Sequence, residues 1–281
     1  LLTKLSGMDR VFLCNSGAEA VEAAIKLVRK HGDKQGKQGK IISFENCFHG
    51  RTLGTISMGK AKYQEGFQPL LPGFHTLPYN DLSALHKNIG PDTKAVIVEP
   101  IQGESGIIPA EKEFLQELRK VCDDYEVPLI FDEIQCGLGR TGEIFAYQYY
   151  GVKPDVVTIA KSMGGGYPIG AMLAKEEIAG ALEFGNHGTT FGGNPLGCAA
   201  ALAALKTIEE EKLPEKAREN GKYFMDKIRE KTQGMDEIRD IRGAGLMIGV
   251  ELNFKCADVV LSMLHKGVLA NCAAEYVVRM L

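Results

Sequence analysis

The sequence predicts an α/β fold with parallel strands, followed by a smaller α+β unit at the C-terminus. Three observations carry that prediction. Pro128–Ile134 and Val156–Ala160 are continuous apolar runs joined by a loop and a short helical stretch, the pattern of neighbouring parallel strands with a crossover. Val11–Asn15 passes through Ser16-Gly17 directly into an amphipathic stripe of Val21, Ala24, Ile25 and Val28, a strand–turn–helix unit. Beyond Lys212-Leu213-Pro214 the pattern changes to a long helix followed by pairs of strand-like runs. The boundary falls between Lys206 and Pro214, dividing the chain into 1–208 and 209–281.

The elements follow in order. Val11–Asn15 is a strand and Ala18 to about His31 a helix, with Glu22 and Lys26 paired on its outer face. His31–Lys40, rich in Gly and Lys, reads as a solvated loop. Ile41–Glu45 is the next strand, and Lys60–Pro78 an irregular cover punctuated by Gly and Pro. Ala95–Ile101 is a buried strand and Glu111–Tyr125 an amphipathic helix. Ile169–Ala174 is a further strand, and helices span about Leu196–Glu210 and Pro214–Lys231. Ile238–Ile241, Met247–Leu252, Val268–Asn271 and Val277–Met280 read as strands around a helix near Ala257–Lys266.

Composition narrows the function classes. With 281 residues, 44% hydrophobic and 25% charged, the chain has room for a large core and two domains. A net charge of −3 argues against nucleic-acid binding. No apolar run is long enough to span a bilayer, and no signal-peptide pattern opens the chain. Cys14, Cys47, Cys122, Cys136, Cys198, Cys256 and Cys272 form no CxxC motif, and several lie in apolar runs, so they read as buried thiols in a reducing compartment. The six histidines lack ligand spacing, so no metal is expected. The opening LLTKLSG and the close on Val277–Leu281 read as cut ends.

The chemistry centres on Asp132 and Lys161. In an open α/β sheet, ligands sit outside the carboxyl ends of the strands, where these two residues end the two central runs. A lysine that bonds an aldehyde and a carboxylate that keeps a pyridine nitrogen protonated suit pyridoxal 5'-phosphate. The competing reading is a pair of charges that merely end two strands. The match Gly137-Leu138-Gly139-Arg140-Thr141-Gly142 to a dinucleotide motif fails on context. It opens no helix, and two carboxylates precede it where pyrophosphate needs positive potential. Other stretches have two readings each. Ser16-Gly17-Ala18 at a helix start either holds a phosphate or only caps the helix. Phe48 either lies on a planar ligand or packs in the core, and Arg51 either binds a carboxylate or makes a surface ion pair. Glu104 in a Gly-flanked loop meets a cation or substrate, while Glu99 reads as structural. Thr189 and Thr190 lie in a Gly-rich loop that binds a phosphate or opens the next helix.

Their order is more specific than any one of them. Asn15-Ser16-Gly17-Ala18-Glu19-Ala20, Phe48-His49-Gly50-Arg51-Thr52, Glu99-Pro100-Ile101-Gln102-Gly103-Glu104, Phe131-Asp132-Glu133-Ile134-Gln135, Ala160-Lys161 and Thr190-Phe191-Gly192-Gly193-Asn194-Pro195 together resemble the class III pyridoxal-phosphate-dependent aminotransferases along essentially the whole chain. The resemblance implies fold type I, with a mostly parallel seven-stranded sheet and a smaller α+β domain, and a homodimer with shared active sites. It implies that Lys161 carries the cofactor, Asp132 pairs with the ring nitrogen, and Gln135 approaches the ring hydroxyl. Phe48 would stack on the ring beside His49, and Ser16, Gly17 and Ala18 would hold the phosphate. Thr190, with Thr189, would reach the partner's cofactor. Arg51 would bind the carboxylate distal to the reacting amine, and Arg279 would pair with Glu104. The implied reaction moves an ω-amine to 2-oxoglutarate. N-acetylornithine is the first expectation for the donor, with ornithine, 4-aminobutyrate and succinyl-diaminopimelate as alternatives. A non-catalytic relic of the fold is the rival from another class, and intact Lys161 and Asp132 argue against it. A cytoplasmic location is expected, or a mitochondrial one if a transit peptide precedes the chain.

Overall fold

The computed structural model describes residues 1–281. Helix α1 (Leu2–Ser6) leads into strand β1 (Arg10–Cys14), which turns at Ser16 into helix α2 (Gly17–Lys34). Strand β2 (Ile41–Phe44), helix α3 (Leu53–Ile56), strand β3 (Phe74–Leu77) and helix α4 (Leu82–Asn88) come next. Strand β4 (Ala95–Val98) runs into a small hairpin, β5 (Ile101–Gln102) and β6 (Ile108–Pro109), and then helix α5 (Lys112–Asp124). Strand β7 (Leu129–Asp132), helix α6 (Ala146–Tyr150), strand β8 (Val156–Ile159), strand β9 (Gly170–Ala174) and helix α7 (Glu176–Ala179) complete the first part.

These strands form one seven-stranded sheet in the order β1-β9-β8-β7-β4-β2-β3. Strands β3, β2, β4, β7 and β8 are parallel, and β9 runs against both β8 and β1. Strands β2, β4, β7 and β8 are buried at every residue, which is why they read as unbroken apolar runs: helices cover both faces of the sheet. Ile41, Ile97, Ile130 and Val156 pack with Val21, Ile25 and Val28 of α2 on one face. Their neighbours Ile42, Val96, Leu129 and Val157 pack with Phe114 and Leu118 of α5 on the other. Adjacent side chains point to opposite faces, so each short strand serves two cores.

After α8 (Pro195–Glu210) and α9 (Leu213–Lys231), a second sheet takes over. It holds β10 (Ile238–Ala244), β11 (Met247–Leu252), helix α10 (Ala257–His265) as a crossover, β12 (Asn271–Ala273) and β13 (Val277–Met280). Its antiparallel order is β10-β11-β13-β12. Arg242 of β10 donates to the carbonyls of Gly106 (2.7 Å) and Ile107 (2.9 Å), tying this sheet to the β5–β6 hairpin. No helix is long and apolar enough to cross a membrane.

Some expectations are corrected. Helix α2 continues to Lys34, three residues past its expected end at His31, and Lys37 is folded in, its Nζ donating to the carbonyls of Tyr125 (3.2 Å) and Glu126 (2.7 Å). The segment read as irregular contains edge strand β3, whose His75 and Thr76 blunt its apolar signal. The strand expected at Val268–Asn271 lies instead at Asn271–Ala273. Cys256 and Cys272 are disulfide-bonded rather than free thiols: α10 and β12 bring their Cα atoms within 5.7 Å, inside the usual range.

Candidate active site

A cavity of about 420 Å³ opens at the carboxyl ends of β7 and β8, against the start of α2. That volume is in the range of small-ligand sites. Asp132 ends β7 opposite Thr158 of β8 and forms part of the cavity floor. Its Oδ1 accepts from Thr158 Oγ1 (3.0 Å) and from the Ile134 N–H (3.2 Å). Its Oδ2 lies 2.7 Å from His49 Nδ1, both side chains being buried. The adjacent acid, Glu133, turns away from the cavity and accepts the Ala146 and Tyr147 N–H groups at the start of α6 (2.7 and 2.8 Å). Strand alternation thus sends one carboxylate to each side.

Lys161 sits one residue beyond Ala160, in a left-handed conformation (φ 46°) that is strained for a residue with a Cβ. It begins a 3-10 turn, Lys161–Gly164, and its side chain reaches the cavity wall. Burial against the wall lowers its pKa, and the charge of Arg279 adds to that. Asp132, Glu104 and Glu99 pull the other way without reversing it.

At the other end of the cavity lie Asn15, Ser16, Gly17 and Ala18. Ser16 caps α2, its Oγ accepting the Glu19 N–H (3.2 Å). The N–H groups of Gly17 and Ala18 have no acceptor in the chain, so helix cap and anion cradle coexist. A Cβ at position 17 would fall 2.8 Å from Ile134 Cδ1, so a larger residue there would push the Ile134 side chain aside.

Phe48, His49, Arg51 and Glu99 form the next wall. Glu99, read from sequence as structural, lines the cavity, and its Oε2 accepts the Phe48 N–H (2.9 Å). Burial pushes its carboxyl up to about 7, with Asp132 adding to the rise and His49 opposing it. The sign follows. The folded pKa lies above the unfolded 4.5, so the protonated form's stabilisation is complete below 4.5 and is lost as pH rises through about 7. Glu99→Gln, neutral at every pH, is expected to gain thermal stability over the native chain across that window. Melting curves at matched pH check this, and parallel curves would refute it.

Arg279, on β13, is buried and crosses to the large sheet's loops. Its Nη1 lies 2.7 Å from Glu104 Oε1, 3.1 Å from the Gly103 carbonyl and 3.3 Å from Gln135 Oε1. Gln135 also donates to Glu104 Oε1 (3.2 Å). Burial works against the Glu104 charge, but the Arg279 bond and charge outweigh it and hold that carboxyl below its ordinary range. A Cβ on Gly103 would meet Gln135 Oε1 at 1.5 Å, so any larger residue there would displace the Gln135 amide from Arg279 and Glu104. The sequence reading missed Asn271, whose Oδ1 accepts from Arg279 Nε (2.9 Å). The signal lay only in the β12–β13 register, which sets Asn271 opposite Arg279.

Thr189 and Thr190 stand apart from this cavity. Thr189 Oγ1 donates to Glu19 (2.8 Å) and accepts from Asn15 Nδ2 (3.0 Å), while Thr190 is exposed.

The cavity offers an unpaired helix N-terminus for a phosphate, an aromatic wall, a carboxylate floor and a lysine with depressed pKa. His49 Nε2, buried without a partner, adds an orphan polar atom at the edge of that floor. This donor set fits pyridoxal 5'-phosphate, and on this fold it defines a transferase that works with that cofactor. The family model described as aminotransferase class-III matches residues 1–281, and the chain belongs to that family. Its reaction joins an amino donor to a keto-acid acceptor, with pyridoxal 5'-phosphate as cofactor. The acetylornithine aminotransferase of Methanocaldococcus jannaschii is 54% identical over all of this chain and 71% of its own length. A succinylornithine transaminase of Yersinia pseudotuberculosis is 48% identical over 96% of the chain and 69% of its own length. The crystal structure of the ornithine aminotransferase from Toxoplasma gondii superposes with a TM-score of 0.96 at 36% identity, covering 99% of this chain and 69% of that one.

Proposed function

We propose that the chain transfers the ω-amine of N-acetylornithine to 2-oxoglutarate, a step of arginine biosynthesis. The observation that carries this reading is a pair of arginines: Arg51 on one wall of the cavity without an acidic partner, and Arg279 bonded to Glu104 and to Gln135 of the cavity lining. One enzyme then handles two substrates. Arg51 holds the carboxylate distal to the reacting amine in both, while Glu104 masks Arg279 for the monocarboxylate donor and releases it for the α-carboxylate of glutamate. The 54% identity to an acetylornithine aminotransferase supports the choice of donor. Assay of N-acetylornithine, ornithine, 4-aminobutyrate and succinyl-diaminopimelate with 2-oxoglutarate tests it. A higher kcat/KM for any of the other three would overturn the choice.

Bound pyridoxal 5'-phosphate supplies an aldehyde that exchanges amines and a ring that withdraws electrons from the donor carbon. Lys161 would carry it through Nζ and, when free, would take the proton from the donor carbon. Asp132 would hold a proton on the ring nitrogen, Phe48 would cover the ring face beside His49, and Gln135 would approach the ring hydroxyl. Ser16, Gly17 and Ala18 would hold the phosphate. We read residues 1–208 as the cofactor-binding domain and 209–281 as the domain that brings Arg279. The working enzyme is a homodimer in which Thr190, with Thr189, reaches the partner's cofactor. The exposure of Thr190, Phe191 and Leu196 beside one another supports that reading. A cytoplasmic location belongs to the same reading.

The Glu104–Arg279 pair is expected to act as a switch. Glu104→Ala unmasks Arg279, so single-turnover rates with glutamate should hold or improve. Those with N-acetylornithine should fall about tenfold, the lower end of what a hydrogen bond to a charged group is worth. Equal losses in both half-reactions, with a lower melting temperature, would mean a fixed ion pair instead.

A further inference from the structure

Arg51 raises a question that the switch does not answer. Arg279 is fixed by Glu104, Gly103, Gln135 and Asn271, whereas Arg51 has no ion-pair partner in the chain. A free arginine side chain loses rotamer entropy when it captures a carboxylate, and that loss weakens binding. The structure shows what restrains it. The Arg51 guanidinium carbon lies 4.0 Å from the ring centroid of Tyr63 and 5.4 Å from that of Phe48. The two rings meet edge to face, with centroids 5.8 Å apart and planes at 83°. The 4.0 Å separation is close for a cation over an aromatic face, well inside the range where the ring quadrupole attracts it.

Tyr63 is itself held firmly. It ends a 3-10 turn, Ala61–Tyr63, that lies outside every motif of the cofactor site. Gln64, the next residue, donates through Nε2 to the carbonyls of Ile56 (2.9 Å) and Gly59 (3.0 Å). These bonds fasten the turn to the end of α3. Helix α3 starts immediately after Arg51, capped by Thr52, whose Oγ1 accepts the Thr55 N–H (3.2 Å) and donates to Glu22. Arg51 and Tyr63 therefore stand on one short clamped frame, the cation at its start and the ring at its end. Lys62 adds a second positive charge, its Nζ 5.1 Å from the same ring centroid.

We propose that Tyr63 is a positioning residue for Arg51 and thereby sets the site's preference for ligands with a carboxylate distal to the reacting amine. The ring fixes the guanidinium by its face and leaves the N–H edges free, so a planar carboxylate meets a cation already oriented. An aspartate or glutamate in the same place would also hold Arg51, but it would occupy the donors that the substrate needs. An aromatic platform restrains the cation without competing for them. The proposal rests on the reading of Arg51 given above.

The test uses the cofactor-loaded protein and two readouts. One is calorimetric binding of glutarate, a dicarboxylate that cannot react. The other compares N-acetylornithine with N-acetyl-1,4-diaminobutane, the same amine without its carboxylate. Tyr63→Leu is expected to raise the glutarate Kd and the N-acetylornithine KM about fivefold, the worth of one cation–π contact. It should leave kcat within about twofold and spare the decarboxylated amine. Tyr63→Phe keeps the ring and should behave like the native chain. A glutarate Kd unchanged in Tyr63→Leu overturns the proposal. So does an equal rise in KM for the decarboxylated amine, or a Tyr63→Phe variant as impaired as Tyr63→Leu. Arg51→Gln separates the two levels. If it weakens glutarate while Tyr63→Leu does not, the platform alone falls; if it leaves glutarate binding intact, the reading of Arg51 falls and the platform with it.

Discussion

Lys161→Ala is expected to lower amine transfer about ten-thousandfold with either amino donor, the upper range for loss of a positioned acid–base group. The reasons are local. Lys161 Nζ is the amine at the end of β8 beside the Asp132 floor, and burial against the wall lowers its pKa, which favours the neutral, proton-accepting form. No second lysine lines the cavity. The substitution also keeps the fold: alanine meets the same left-handed backbone strain at φ 46°, so melting temperature should change little. Borohydride reduction of the native holoenzyme and peptide mapping should find the pyridoxyl group on the Lys161 peptide. An adduct on another lysine, or a Lys161→Ala variant with near-native turnover, would falsify the assignment. A small primary amine added to the variant should restore part of the lost rate, because it replaces the missing base and not the missing packing.

Which parts of this site were legible in the sequence follows from how each is built. Asp132 and Lys161 end apolar runs, and ligands bind at the carboxyl ends of parallel strands, so the sequence pattern alone brings the two together. Ser16-Gly17-Ala18 was legible because a strand–turn–helix start has one geometry, and that geometry makes an anion site. The place of Glu99 at the cavity was hidden because its neighbours Val98 and Pro100 are core-like. Only the packed structure reveals that its carboxylate holds the Phe48 N–H. Asn271 and Tyr63 were illegible for a different reason. Asn271 acts through the pairing of β12 with β13, and the expected strand began three residues too early to show that pairing. Tyr63 acts through a contact with a cation twelve residues earlier, across a short helix and a loop that share no common period. The Cys256–Cys272 bond was missed because cysteine count and composition speak to the whole chain, whereas the bond depends on how α10 meets β12. Edge strand β3 escaped because the signal for parallel strands is burial on both faces, and an edge strand lacks it.

Asp132→Asn is expected to slow turnover about a thousandfold, the scale of losing a preorganised electrostatic contact in a site closed to water. The substitution removes charge and keeps shape. In the native chain Oδ1 takes two donors, Thr158 Oγ1 and the Ile134 N–H, and an asparagine Oδ1 keeps both. The Oδ2 position becomes an NH2 group facing His49 Nδ1. His49 can meet it by moving its ring proton to Nε2, which has no partner of its own. No additional buried group loses a partner, since Nε2 is unpartnered in the native chain as well, so the melting temperature should stay within a few degrees. Asp132→Ala behaves differently. It strands the Thr158 and His49 groups and should cost about 1–3 kcal/mol of stability in addition to the rate. Comparing the two variants therefore separates charge from scaffolding. A carboxylate beside the ring nitrogen raises that nitrogen's pKa, so its removal should make proton loss from the donor carbon the slow step. A donor deuterated at that carbon should then show a larger isotope effect on kcat in Asp132→Asn than in the native enzyme. Near-native turnover in Asp132→Asn, or a rate loss with no change in isotope effect, would show that this carboxylate shapes the floor of the cavity without supporting the chemistry above it.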